Sequence, residues 1–106
     1  MTVSGWLDAR HPVPPVALRA RIDTAIGPAL HEETTDVAEA CLAAGERVMQ
    51  LLLRDNATSR ESALDLLAAD ALVTYAFEAA SDRPADLAAR ASEAMTRIAA
   101  LIQVRM

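Results

Sequence analysis

The chain contains no lysine; its ten basic residues are all arginine. That excludes Schiff-base chemistry on a lysine, the phosphate-gripping lysine of a P-loop and any lysine general base. GC-rich coding, which also enriches alanine, is the simplest account of the bias. One cysteine, Cys41, leaves no internal disulfide, so nothing marks an oxidising compartment. Long apolar runs are missing too. Stretches without a formal charge reach only about eight residues, as from His11 to Leu18, whereas a membrane span needs ~20. Asp8 falls where a signal peptide would require its apolar run. The expected setting is cytoplasmic, with no membrane partner.

Positive charge is scarce and scattered. Fifteen acidic residues outnumber the ten arginines, for a net charge of -5. A nucleic-acid footprint needs clustered basic residues, and an anionic field repels phosphates. Aromatics and glycines are equally few, three of each, against 24 alanines and 13 leucines. Alanine and leucine are the strongest helix formers, while sheets favour β-branched and aromatic residues. With 53% apolar residues in 106, the chain reads as one all-α domain.

Residues 1–14 read as an arm, rich in proline after position 11, with Trp6 as an anchor folded back on the core. The domain proper spans 15–106. Leu18, Ile22 and Ile26 recur every four residues and predict a short helix over 15–26, ended by Gly27-Pro28. Asp36 and Glu39 have capping-box spacing and open a second helix closed by Asp55-Asn56. Along it Val37, Cys41, Ala44, Val48 and Leu51 alternate steps of four and three, a seam suited to lying on a neighbouring helix. Gly45 interrupts that helix at a cost of ~1 kcal/mol relative to alanine, which a close helix crossing would explain.

Thr58 and Glu61 form a second capping-box pair ahead of a third helix. Thirteen of the seventeen residues from Leu64 to Ala80 are apolar, so this helix is expected at the centre. Leu64, Leu67, Leu72, Val73, Tyr75 and Phe77 are its expected buried residues. Ser81-Asp82-Arg83-Pro84 makes the last turn. In the helix that follows, Leu87, Ala91, Met95, Ile98 and Ile102 form the expected buried stripe, with Arg90, Glu93 and Arg97 on the wet face. The architecture predicted is a compact antiparallel bundle of three long helices plus one short N-terminal helix.

Few residues carry chemistry. Asp70, Thr74 and Glu78 stand four apart on one stripe of the central helix. Carboxylates in an apolar surround need a reason: a polar pocket, an ion pair with Arg47 or Arg97, or simple exposure. His31-Glu32-Glu33 lacks the second histidine of a metalloprotease motif, since position 35 is Thr35, and better suits a helix start. Cys41 reads as a small buried hydrophobe, and no serine has a histidine at a recognisable spacing. No catalytic residue, metal site or cofactor is expected.

Leu66-Leu67-Ala68-Ala69-Asp70-Ala71-Leu72-Val73-Thr74-Tyr75-Ala76-Phe77-Glu78 resembles a core helix of the polyprenyl diphosphate synthases. Ala44-Gly45-Glu46-Arg47 is similar to that family's G-G-K-R segment, with Glu46 where lysine stands. Neither D-D-x-x-D motif is present, so the resemblance implies a shared kind of helix and transfers no catalytic residue.

The functional expectation is a small non-enzymatic helical interaction or oligomerisation module, acting through apolar packing as a homodimer or with a protein partner. Its candidate interface residues are Val37, Cys41, Ala44, Val48, Leu51, Leu72, Val73 and Phe77. The alternative is a bundle holding an apolar or isoprenoid-like molecule between helices, beside Phe77 with Asp70 or Thr74 at one end.

Overall fold

Five helices and a 3-10 turn follow one another in a computed structural model that describes residues 1–55, 59–82 and 84–105, the side chains of 84–87 and 104–105 excepted. They are α1 (Val3–Asp8), α2 (Val16–Ile26), the 3-10 turn (Gly27–His31), α3 (Val37–Asp55), α4 (Arg60–Ala80) and α5 (Pro84–Arg105). The protein is all-α; among the described residues the single bridge of extended backbone joins Thr2 to Glu33. Asn56, Thr58 and Arg83, and the side chain of Leu87, lie outside the described residues.

The segment read as an arm holds a six-residue helix. Thr2 caps it, its Oγ1 accepting from the Gly5 N–H at 3.0 Å, and Val3, Trp6 and Leu7 are buried. Trp6 meets Tyr75 of α4 edge to face, ring centroids 5.9 Å apart, and the Arg10 guanidinium lies 4.1 Å over the indole. α2 begins after Pro15 and buries Ile22 and Ile26, with Leu18 half-buried. It ends at Gly27, whose φ of 68° favours a residue without Cβ. The chain then tightens into the 3-10 turn, with Pro28 in its first residues and Leu30 buried.

α3 and α4 form the antiparallel centre. A Cβ built on Gly45 would stand 3.4 Å from Leu72 Cβ, 3.4 Å from Val73 Cγ2 and 3.5 Å from the Ala69 carbonyl oxygen. The backbones therefore meet closely at this crossing, helped by Ala68, Ala69, Ala76 and Ala80, all buried on α4. Val37, Cys41 and Ala44 are buried on α3, and Leu72 is wholly inaccessible. α4 starts one residue later than its expected cap: Ser59 Oγ accepts from the Ser62 N–H at 3.1 Å, so Ser59 and Ser62 take the places expected of Thr58 and Glu61. Leu67, expected inside, is 56% exposed, while Leu64, Val73, Tyr75 and Phe77 are half-buried. Alanine supplies most of the inner face of α4 because only small side chains allow so close a neighbour.

α5 is rotated from its expected orientation by roughly 60°, at 100° of turn per residue. Ala94 is its buried residue, Ala91 and Ile98 are half-buried, and Met95 and Ile102 are 65% and 49% exposed. Arg90 and Arg97, expected on the wet face, turn instead toward α3. The cause is electrostatic. α3 presents Asp36, Glu39 and Glu46 along one side, and the two guanidinium groups reach them while the small Ala94 admits α5 against Ala38, Leu42 and Ala76.

Burial is uneven along the bundle. The core gathers α1, α2, the first half of α3, the second half of α4 and Ala94. Beyond it, none of residues 46–55, 60–67 and 95–103 is buried, although they include Val48, Met49, Leu51, Leu52, Leu53, Leu64, Leu66, Leu67, Met95, Ile98, Leu101 and Ile102.

Candidate functional site

Asp70, Thr74 and Glu78 lie on the solvent side of α4, all exposed. Thr74 Oγ1 donates to the Asp70 carbonyl at 3.0 Å, a bond within the helix. Among the described residues no hydrogen bond or ion pair reaches the Asp70 carboxylate, because its expected partners are engaged elsewhere. Arg47 Nη2 donates to the Ala25 carbonyl at 2.9 Å. Arg97 is held by Glu46 at 2.7 Å and Glu39 at 3.1 Å, with Glu93 at 3.5 Å. Of the three readings of the stripe, simple exposure fits this geometry.

The arginine pairs tie elements together. Arg19 bridges Asp23 at 2.7 Å and Asp8 at 2.9 Å, fastening α1 to α2. Arg21 meets Asp65 of α4 at 2.9 Å. Asp36 serves twice: Oδ1 accepts from the Glu39 N–H at 3.0 Å as the cap of α3, and Oδ2 accepts from Arg90 at 2.6 Å. Glu39, read as the second half of a capping box, sends its carboxylate to Arg97 instead. Hydrogen bonding to Asp36 raises the Arg90 pKa further, and bonding to Glu46 does the same for Arg97. Both therefore remain fixed cations, unsuited to proton transfer.

His31 and His11 are exposed on separate segments. Glu33 does not stand at the start of α3 as expected; it pairs with the Met1 α-ammonium, beside a Thr34 N–H bond to the Met1 carbonyl at 2.8 Å. No group of three or more metal-ligating side chains occurs among the described residues, and no described helix is long and apolar enough to cross a membrane. Burial pushes the Cys41 thiol up to about 12, which leaves almost no thiolate at neutral pH. Burial, with the charge of Glu78 behind it, raises the Tyr75 phenol.

Recesses open on the surface among the described residues. The crevice beside Phe77, between Ala38, Leu42 and Ala94, has a volume of about 10 Å³, room for little more than one water. A groove of about 430 Å³ lies where α2, α3 and α4 meet, floored by Val48, Leu51 and Leu52 and rimmed by Arg21, Arg47 and Asp65. A third, of about 200 Å³, lies beside Trp6 and Arg90. Asp70 and Thr74 line none of the three.

Of the candidate interface residues, Val37, Cys41, Ala44 and Leu72 are consumed inside the chain's own core. Val48, Val73 and Phe77 are half-buried, and Leu51 is exposed. The accessible apolar surface has a different make-up. Leu66 and Leu67 on α4 and Met95 on α5 are each more than half exposed, and Ile102 is nearly so. Leu66 shares a side of α4 with Val73 and Phe77, at spacings of seven and eleven, and Phe77 faces Ala94 of α5. Leu66 therefore lies toward α5, whereas Leu67 shares the solvent-facing stripe of Asp70, Thr74 and Glu78. These residues went unrecognised because their periodicity equals that of a core stripe.

No family model, curated protein or solved structure matches this chain.

Proposed function

We infer that the protein is a small non-enzymatic helical interaction module, which covers the apolar half of its bundle by packing against another helical surface. One observation carries this reading: twelve large apolar side chains stand in residues 46–55, 60–67 and 95–103, and none of them is buried. Full burial of such a side chain is worth roughly 1.5–3 kcal/mol, so an isolated chain leaves much of that stabilisation unrealised. A patch of this kind on a small domain marks a place where another molecule sits. The charged groups support the same reading, since Arg19, Arg21, Arg90 and Arg97 hold elements together and the Asp70 and Glu78 carboxylates of α4 face water.

Amide hydrogen exchange tests the reading. In dilute monomeric protein the amides of 46–55, 60–67 and 95–103 should exchange markedly faster than those around the Gly45 crossing. They should slow once the apolar half is covered. Equal protection of both halves in a strictly monomeric sample would overturn the reading, because the bundle would then need nothing more.

A further inference from the structure

We propose that the α5 part of this surface, where Met95 and Ile102 stand exposed, is covered by a second copy of the chain seated antiparallel along the outward face of α5. The proposal rests on the interaction-module reading and specifies its partner. α5 carries two seams. The inner one, through Arg90, Ala94, Arg97, Ile98 and Leu101, packs on α3 and α4. The outer one, Ala88, Ser92, Met95, Ala99 and Ile102, advances by four, three, four and three residues, and every member is exposed. Met95 and Ile102, seven residues apart on it, are large, apolar and exposed, and a 4-3 line keeps such residues turned toward a neighbouring helix.

Charge selects the occupant. Among residues 88–103 ten are exposed: Ala88, Ala89, Ser92, Glu93, Met95, Thr96, Ala99, Ala100, Ile102 and Gln103. Glu93 is the only charged residue of the ten. Two copies of a chain with net charge -5 repel one another, and they approach most easily through a face that contributes almost nothing to that charge. The positions flanking the seam, Ala91 and Ile98 on one side and Ala89, Thr96 and Gln103 on the other, hold no ion. A foreign partner chosen by charge would find no signal here, whereas a second copy meets no penalty.

Side-chain size selects the direction. In an antiparallel pair with its axis at the level of residue 97, Met95 stands opposite the partner's Ala99, and Ser92 opposite the partner's Ile102. The two-fold axis repeats both layers. Each of the four layers then joins one large to one small side chain, which lets the helices approach evenly. A parallel pair would instead stack Met95 on the partner's Met95 and leave Ser92 and Ala99 facing their own copies across gaps.

Sedimentation velocity over a series from low micromolar to near-millimolar chain tests the proposal directly. Wild-type protein should pass from monomer to dimer. Met95→Glu should remain monomeric at every concentration with an unchanged helical circular dichroism spectrum, and Ser92→Arg provides the same test should Met95→Glu fail to fold. Oxidation of an equimolar mixture of Met95→Cys and Ala99→Cys chains should give mixed disulfide dimers well in excess of either homodimer, the buried Cys41 thiol taking no part. A wild-type chain that stays monomeric throughout, a Met95→Glu or Ser92→Arg chain that still dimerises, or Met95→Cys chains that couple as readily to themselves would each overturn the proposal. The two readings fail separately: a monomer whose 46–55, 60–67 and 95–103 amides exchange fast removes only the second copy, and a monomer protecting them fully removes both.

Discussion

Replacing Gly45 tests how closely α3 and α4 cross, and the sign of the effect depends on the size of the new side chain. A methyl group there would stand 3.4 Å from Leu72 Cβ and Val73 Cγ2 and 3.5 Å from the Ala69 oxygen, at the near edge of ordinary van der Waals contact. Gly45→Ala therefore adds no serious clash and recovers the helix propensity that glycine gives up, so a stabilisation of about 0.5–1 kcal/mol is expected. Gly45→Leu adds three more carbons against Leu72, which is wholly buried and has nowhere to move. The helices must then separate or the side chains leave their rotamers, at a cost of roughly 1–3 kcal/mol. Urea unfolding of the three proteins at one fixed chain concentration measures both changes, with a melting shift of ~4–8 °C per kcal/mol for a domain near this size. The reasoning is refuted if Gly45→Leu unfolds at the wild-type urea concentration, since the crossing would then have room to spare. A loss of more than about 1 kcal/mol in Gly45→Ala would refute it from the other side.

Two further perturbations probe the packing of α5 and of the core. Arg97→Met should remove the links to Glu39 and Glu46 and destabilise by about 1 kcal/mol at low salt, with a smaller loss at high salt because the partner carboxylates are partly wet; equal losses at both would refute the electrostatic account of how α5 is oriented. The Cys41 thiol, raised from 9.0 to about 12, should resist alkylation in the native protein at pH 8 and react at once in urea. Because the folded state holds its proton more tightly than the unfolded state, stability is complete below pH 9.0 and should fall by up to ~1.4 kcal/mol per pH unit as pH rises toward 12. Replacing Cys41 with alanine should remove the slope between pH 9 and 10, below the range in which the raised Tyr75 phenol adds its own, and its persistence there would assign the effect to another group.

Much of the fold was legible as periodicity and punctuation. Leu18, Ile22 and Ile26 placed α2, and Gly27 ended it with the positive φ that its missing Cβ suggested. Val37, Cys41 and Ala44 lay on a 4-3 seam and are buried, and Gly45 marked the close crossing with α4. The candidate polar stripe was legible as a stripe but not as a surface. Asp70, Thr74 and Glu78 interrupt an apolar helix, and nothing local says whether the interruption faces a pocket or water. Likewise Met95 and Ile102 share a stripe with Ile98, and no local feature ranks that stripe against the neighbouring one through Ala94.

Local order alone thus determined the helices, their caps and the small residues where two of them touch, because propensity and steric fit act over a few neighbouring positions. The tertiary structure alone decided which side of α5 turned inward. Asp36 at the cap of α3, with Glu39 and Glu46 along it, far away in the chain, drew Arg90 and Arg97 across and swung Met95 and Ile102 out into water. A helix with two apolar faces offers either to its neighbours, and long-range charge pairing settles which of them is used.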